Sequence, residues 1–236
     1  MSRRLWIPIA AVAALAVLGS AGAYVYFFSG LRTSPPSLAL ASPSASPSNA
    51  ASASAGTWQI ASGSVVGYRV KEQFVGQTSS HEAVARTGDV TGQVTIGQSG
   101  TSYQMTSANV TVQLANLASV DQVAGYNVTN RDRIVQRSLS VSSFPTAVFE
   151  AQSVTLPAGA ETGQTVTVSV PGRLTVHGVT KVVTATLQLR VSGSTAQIAG
   201  SIPTNMTDYG ISPPNVGFTT VQPEVTIEFQ LNLAGG

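Results

Sequence analysis

The sequence predicts an all-β chain of about eight antiparallel strands with one short helical insertion, closed as an up-and-down barrel or stacked as a sandwich. Three observations predict it. Around His177-Gly178, Val166, Val168, Val170, Leu174 and Val176 share one face of the incoming run, and Val183, Ala185, Leu187, Leu189 and Val191 share one face of the return. A period of two held this long belongs to half-buried antiparallel strands, and Gly178 tolerates the positive φ of a tight turn. Near the C-terminus, Val225, Ile227, Phe229, Leu231 and Leu233 alternate with Glu224, Thr226, Glu228, Gln230 and Asn232. The composition agrees: 43% hydrophobic, 9% charged and 22 glycines describe an extracytoplasmic β protein better than a cytosolic helical one.

The N-terminus has its own grammar. Residues 5–28 are predominantly apolar and uncharged, and Arg3 and Arg4 precede them. About 20 such residues span a bilayer as a helix, so residues 1–30 are expected to form a transmembrane anchor whose basic flank stays inside. The competing expectation is a signal peptide cut near Ala21-Gly22-Ala23, followed by secretion. Residues 31–56 are rich in Ser, Pro and Ala, offer little to bury, and are expected to be a disordered linker.

The globular part is expected over 57–236. Trp58 and Ile60 alternate, then Val66, Tyr68, Val70 and Phe74 share a face. Val90, Val94 and Ile96 follow, and 97–100 reads as a turn. Tyr103 and Met105 are odd-numbered whereas Ala108, Val110, Val112 and Leu114 are even, a phase slip that predicts a bulge at Thr106 or Ser107. Residues 119–138 break the alternation. Asp121 is expected to cap one helical turn ended by Gly125, and Thr129 or Asn130 a second, with Arg131, Asp132, Arg133 and Arg137 as a solvated charged connection. Pro203 marks Ile202 as the end of a strand, and Asp208-Tyr209-Gly210 is a turn.

Several functions are excluded or disfavoured. Three of the twelve basic residues flank the N-terminal apolar run, leaving nine against ten acidic ones from Thr57 onward, so no basic stripe remains to neutralise nucleic acid. With no cysteine and only His81 and His177, the chain shows no metal-ligand spacing. No nucleophile elbow or phosphate loop occurs, so neither a catalytic residue nor a cofactor is expected. Binding remains: an eight-stranded barrel either fills itself or holds one small ligand. His177 either holds its turn through a carbonyl or touches a ligand head group at a barrel rim.

Three segments, NRDRIVQRSLSVSSFPTAVFE at 130–150, GRLTVHGVTKVV at 172–183 and TDYGISPP at 207–214, together resemble the YceI-like, polyisoprenoid-binding family. The resemblance implies a lipocalin-like antiparallel barrel with an elongated apolar tunnel for an isoprenoid tail, and Arg131, Asp132, Phe144, Pro145, Phe149, His177 and Asp208 match family positions. For the tunnel wall, the alternation offers Tyr68, Phe74, Tyr103, Met105, Phe149 and Phe229, with His177 at the rim. The expectation is a non-enzymatic, membrane-tethered extracytoplasmic protein that carries or sequesters a polyprenyl or quinone-type lipid. The alternatives are a non-catalytic interaction module displayed outside the membrane and a lipid-modifying enzyme. The sequence leaves the oligomeric state open.

Overall fold

The computed structural model describes residues 16–19, 32–41, 55–76, 80–123, 127–217 and 219–235. Strands β2 (Gly56–Ile60), β5 (Val90–Ser99), β6 (Ser102–Gln113), β9 (Thr146–Ala151), β11 (Val166–Val176), β12 (Val179–Ser192), β13 (Thr195–Asn205) and β14 (Thr219–Gly235) close an eight-stranded antiparallel barrel. Full closure leaves the ring no free edge. The chain of β2 continues after a break at 61–64 as β3 (Val65–Phe74), which pairs with the first half of β14 and with β4 (His81–Thr87). Ser64 fixes the break: its hydroxyl accepts from Asn232 N at 3.0 Å and donates to Ala61 O at 2.7 Å. Short pairings are made by β7 (Ala118–Ser119) with β4, β8 (Gln122–Val123) with β1 (Arg32–Thr33), and β10 (Val154–Thr155) with β6.

The alternation read from the sequence is the barrel's inside and outside. Val166, Val168, Val170 and Leu174 are buried, as are Ala185, Leu189 and Val191 opposite them, while the intervening Thr and Ser residues are exposed. His177 and Gly178, at φ 53° and 74°, form the two-residue turn between paired Val176 and Val179. Gly178 is required twice, because a Cβ there would also lie 2.6 Å from Cε1 of Phe144. The register of β5 against β6 shifts between Thr95 and Ile96, whose partners are Ser107 and Met105; Thr106 is the extra residue of the bulge.

Three expectations change. Pro203 does not end its strand: β13 continues to Asn205 along β14, but its last partner on β12 is for Ser201, so Pro203 sits where no neighbour asks for its missing N–H. Asp121 caps no helix. Its carboxylate is buried and accepts from Val84 N at 3.1 Å, and Gln122–Val123 after it are strand; Gly125, the expected end of that turn, lies outside the described residues, and the second expected turn is a helix, α1 (Thr129–Ser138). Finally, residues 32–41, expected as part of the disordered linker, lie across the outer face of the barrel as an extended strap. Arg69 donates to Pro35 O at 2.6 Å, Arg86 to Pro36 O at 2.6 Å and Arg190 to Ala41 O at 2.6 Å, while Leu38 N donates to Glu228 Oε2 at 3.2 Å. Charged groups bonded to backbone carbonyls hold a segment that has little apolar surface of its own.

The anchor expected over 1–30 lies outside the described residues except for 16–19, which are helical and exposed. Among the described residues no helix is long and apolar enough to cross a membrane.

The registers define two ends. The β3–β4 connection, the His177-Gly178 turn, the 3-10 turn Met206–Tyr209 and α1 gather at a helical end. The β5–β6 and β12–β13 turns lie at the other, where Trp58, Ala160 and Leu233 are buried.

Candidate functional site

Inside the barrel runs a cavity of about 310 Å³. Its wall takes the inward residues of every strand, among them Trp58 of β2, Val94 of β5, Val168 and Val170 of β11, Ala185 and Leu189 of β12, Ile198 of β13 and Val225 to Leu233 at alternate positions of β14. The bulge explains how β6 contributes along its whole length: Tyr103 and Met105 before Thr106, and Ala108, Val110 and Val112 after it, all face in. Tyr68, Phe74, Tyr103, Met105, Phe149 and Phe229, the six side chains chosen from the alternation, all line this cavity. The ring of Phe149 lies over Gly172, where a Cβ would come within 2.5 Å of its Cζ. The glycine of the GRLTVHG segment therefore makes room for an aromatic wall residue.

His177 is not among the lining residues. Nδ1–H donates to Tyr209 O at 3.1 Å, leaving Nε2 to face Ser140 Oγ at 3.2 Å, and the ring meets Phe144 edge-on at 5.1 Å. It ties the hairpin turn to the segment after α1 and to the Asp-Tyr-Gly turn, which joins the three sequence segments at one point. Asp208 of that turn is exposed, whereas Tyr209 packs with Leu174 and Ile211 in a small cluster of its own.

One corner of the wall is charged. Glu72, on the inward face of β3 between Val70 and Phe74, receives Arg131 of α1 through both guanidinium contacts, at 3.0 Å and 3.1 Å. Arg131 also donates to Asp121 Oδ1 at 2.7 Å, and His81 Nε2 lies 2.7 Å from Asp121 Oδ2. All four side chains are buried, as the pairing of buried charge requires. Burial pushes the Glu72 carboxyl above its ordinary value, and Arg131 pulls it partly back. For Asp121 burial also opposes ionisation, but the bonds from His81, Arg131 and Val84 N outweigh it and hold the carboxyl below its ordinary range.

Beside this corner stands Tyr68. Burial raises the pKa of its phenol, Arg131 opposes the rise, and Glu72, Asp132 and Asp121 add to it. The group therefore stays protonated. Its ring faces the cavity.

The sequence reading passed over Glu72, although the even phase of β3 places it on the dry face. Arg131 and Asp132 were visible as family positions but not as buried ones. Asp132 accepts from Ser119 N at 3.0 Å and Ser119 Oγ at 2.6 Å, while Arg133 and Arg137 are exposed as expected. Among the described residues no three acidic or histidine side chains are grouped as metal ligands.

A family model described as a YceI-like domain matches residues 58–233, which is nearly the whole barrel. The chain belongs to the YceI-like domain family. Among solved structures, a polyisoprenoid binding domain from Saccharophagus degradans implicated in plant cell wall breakdown is 15% identical, with a TM-score of 0.55 over 78% of this chain and 100% of that one. BcnA of Burkholderia cenocepacia is 18% identical, with a TM-score of 0.47 over 70% of this chain and 95% of its own. At these identities the likeness concerns the fold. A comparison with curated proteins gave no match. In this YceI-like barrel the hairpin glycine, the buried arginine and the His177 knot all lie within the matched residues, and the cavity is what they help to enclose.

Proposed function

We propose that the YceI-like barrel is a non-catalytic carrier or sequestering protein for a single isoprenoid lipid with a neutral, oxygen-bearing head group, displayed outside the membrane to which residues 5–28 anchor it. The observation that carries the reading is an apolar channel with the protonated Tyr68 phenol in its wall beside the charged corner. The lining positions of β14 run from Thr219 to Leu233, roughly 45 Å of strand at about 3.3 Å per residue. A volume of about 310 Å³ drawn out along such a wall is thin, and it suits one extended chain better than a compact ring system. Burial of each CH₂ is worth about 0.8 kcal/mol, which accumulates quickly along a prenyl chain.

The head-group preference follows from the charged corner. A protonated Tyr68 donates a hydrogen bond to a carbonyl or hydroxyl oxygen. The guanidinium there already faces two carboxylates, so a phosphate would have to share it with both. The membrane reading rests on the apolar run and its Arg3-Arg4 flank. Organic extraction of the purified full chain, followed by mass spectrometry, is expected to release a prenyl alcohol, phenol or quinone. Repeated recovery of no prenyl lipid, or of prenyl phosphates alone, overturns the reading.

A further inference from the structure

The helical end of the barrel differs from the other end in what it exposes. Val75, Phe144, Val182 and Val216 are 73%, 38%, 82% and 38% exposed, and all four lie at or next to the connections of this end. Val75 follows the last residue of β3, Phe144 packs on the His177-Gly178 turn, Val182 is three residues beyond Val179, and Val216 N donates to Thr219 O at 3.2 Å. Among the described residues of the barrel, Val120, bonded through its N–H to Val84 O of β4, is the other large exposed hydrophobic side chain, and none lies at the Trp58 end. Val216 also lines the cavity, so the channel reaches the surface inside this apolar rim, whereas Trp58 and Ala160, only 2% and 1% exposed, close it at the other end.

The strap brings the N-terminus to the same place. Arg32 and Thr33 pair with Val123 and Gln122, and Ser34 Oγ donates to Glu82 O, next to His81 at the start of β4. From there the strap crosses β3 and β14 away from the helical end until Ala41 meets Arg190 of β12. Only residues 29–31 separate the apolar run 5–28 from Arg32. Four Cα steps reach at most roughly 14 Å. A 26-residue flexible linker would instead average about 25 to 30 Å.

We propose that the helical end is a membrane-seating rim: Val75, Phe144, Val182 and Val216 insert at the bilayer surface, and the strap holds the channel mouth there on a short leash. The inference rests on the anchor reading above. It commits to a lipid bilayer because the chain delivers its own apolar segment to this rim. Exposed charge at this end is mixed, Arg133, Arg137, Arg173 and Lys181 standing against Glu150, Asp208 and Glu224. Apolar insertion, and not attraction to anionic lipid, is therefore the driving term, so neutral phosphatidylcholine suffices and salt has little effect.

The absence of native cysteine makes the test clean. Full-length Val75→Cys, Val216→Cys and, at the opposite end, Gln98→Cys are each labelled with an environment-sensitive fluorophore and mixed with phosphatidylcholine vesicles carrying a bilayer-resident quencher. The rim labels are expected to lose at least half of their emission in low and in high salt, and the Gln98→Cys label almost none. In a Val216→Asp background the chain should still float with vesicles through residues 5–28 while the label of Val75→Cys escapes quenching. Chains that float with both rim labels unquenched, or with all three quenched alike, overturn the rim and leave the anchor standing. Chains that do not float overturn both.

Discussion

The outer face of the β3–β4 hairpin sets buried Arg69 and half-buried Arg86 against buried Glu228 and the more exposed Glu82, with contacts of 2.6 to 2.8 Å. Its inner face buries Arg131 against Glu72 and Asp121 at 2.7 to 3.0 Å. The outer cluster balances two cations with two anions, and the strap roofs it with backbone carbonyls from Pro35 and Pro36 and the N–H of Leu38. The inner one sets one guanidinium and one imidazole against two carboxylates, and its open side is the cavity. The same strand pair thus carries a closed network that fixes the strap and a second one open to the ligand channel. Buried charge that is fully roofed specifies structure; buried charge that borders a cavity also selects what can lie next to it.

Breaking the outer network should cost most. Glu228, 2% exposed, is the partner of both arginines, and Glu228→Ala leaves two guanidinium groups without their shared anion. A loss of about 3 to 5 kcal/mol is expected, seen by calorimetry as a fall in Tm of roughly 10 °C. Arg131→Met should cost somewhat less, about 3 kcal/mol at neutral pH. Part of that loss is expected to return under acid conditions as Glu72 takes up a proton, whereas Glu228→Ala should recover little.

The inner cluster can be dissected further by pH. Glu72 has a folded pKa raised above its ordinary 4.5, so it favours the folded state below that value and loses this contribution as pH rises through the folded pKa. Asp121 has the opposite sign: its contribution is present above the ordinary 3.8 and disappears as pH falls through the lowered folded pKa. Glu72→Gln removes only the first. Its deficit in denaturant midpoint relative to wild type should therefore shrink from pH 4.5 to pH 7; a deficit that grows over this range would mean that Glu72 is stabilising as an anion. The smallest effect on stability belongs to Tyr68→Phe, within about 0.5 kcal/mol, with affinity for a neutral-headed prenyl lipid reduced roughly fivefold by loss of one hydrogen bond of about 1 kcal/mol. Unchanged affinity would remove the phenol from the site.

What the sequence made legible was periodic. The faces of β11, β12 and β14, the two-residue turn and the bulge at Thr106 all follow from counting by two, and so does the cavity wall, because six side chains of the dry faces meet around one channel. What it hid was aperiodic. Arg131 meets Glu72 across 59 residues and Asp121 across 10. Once α1 is treated as a solvated connection, no local pattern marks its first arginine as buried. The strap is the clearest case. Its Ser, Pro and Ala composition predicts disorder because such residues bury little, yet it is ordered by donors 34, 50 and 149 residues away, on Arg69, Arg86 and Arg190. A backbone carbonyl carries no sequence signature, and prolines already restricted in φ lose little more by docking. His177 shows the converse: its pattern was read correctly as a turn, but the alternative that placed it at the ligand rim is not matched by the lining of the cavity.

The central claim is that the barrel interior holds one lipid chain. Native mass spectrometry of the full chain tests it most directly, with Ala185→Phe as the comparison, since Ala185 is 1% exposed to solvent and lines the channel. The expected result is one prenyl lipid per wild-type chain and none in Ala185→Phe, with folding stability lowered by no more than the roughly 1 to 3 kcal/mol of overpacking. Equal lipid occupancy in a folded Ala185→Phe chain, or an empty wild-type chain after challenge with a polyprenol, would contradict it.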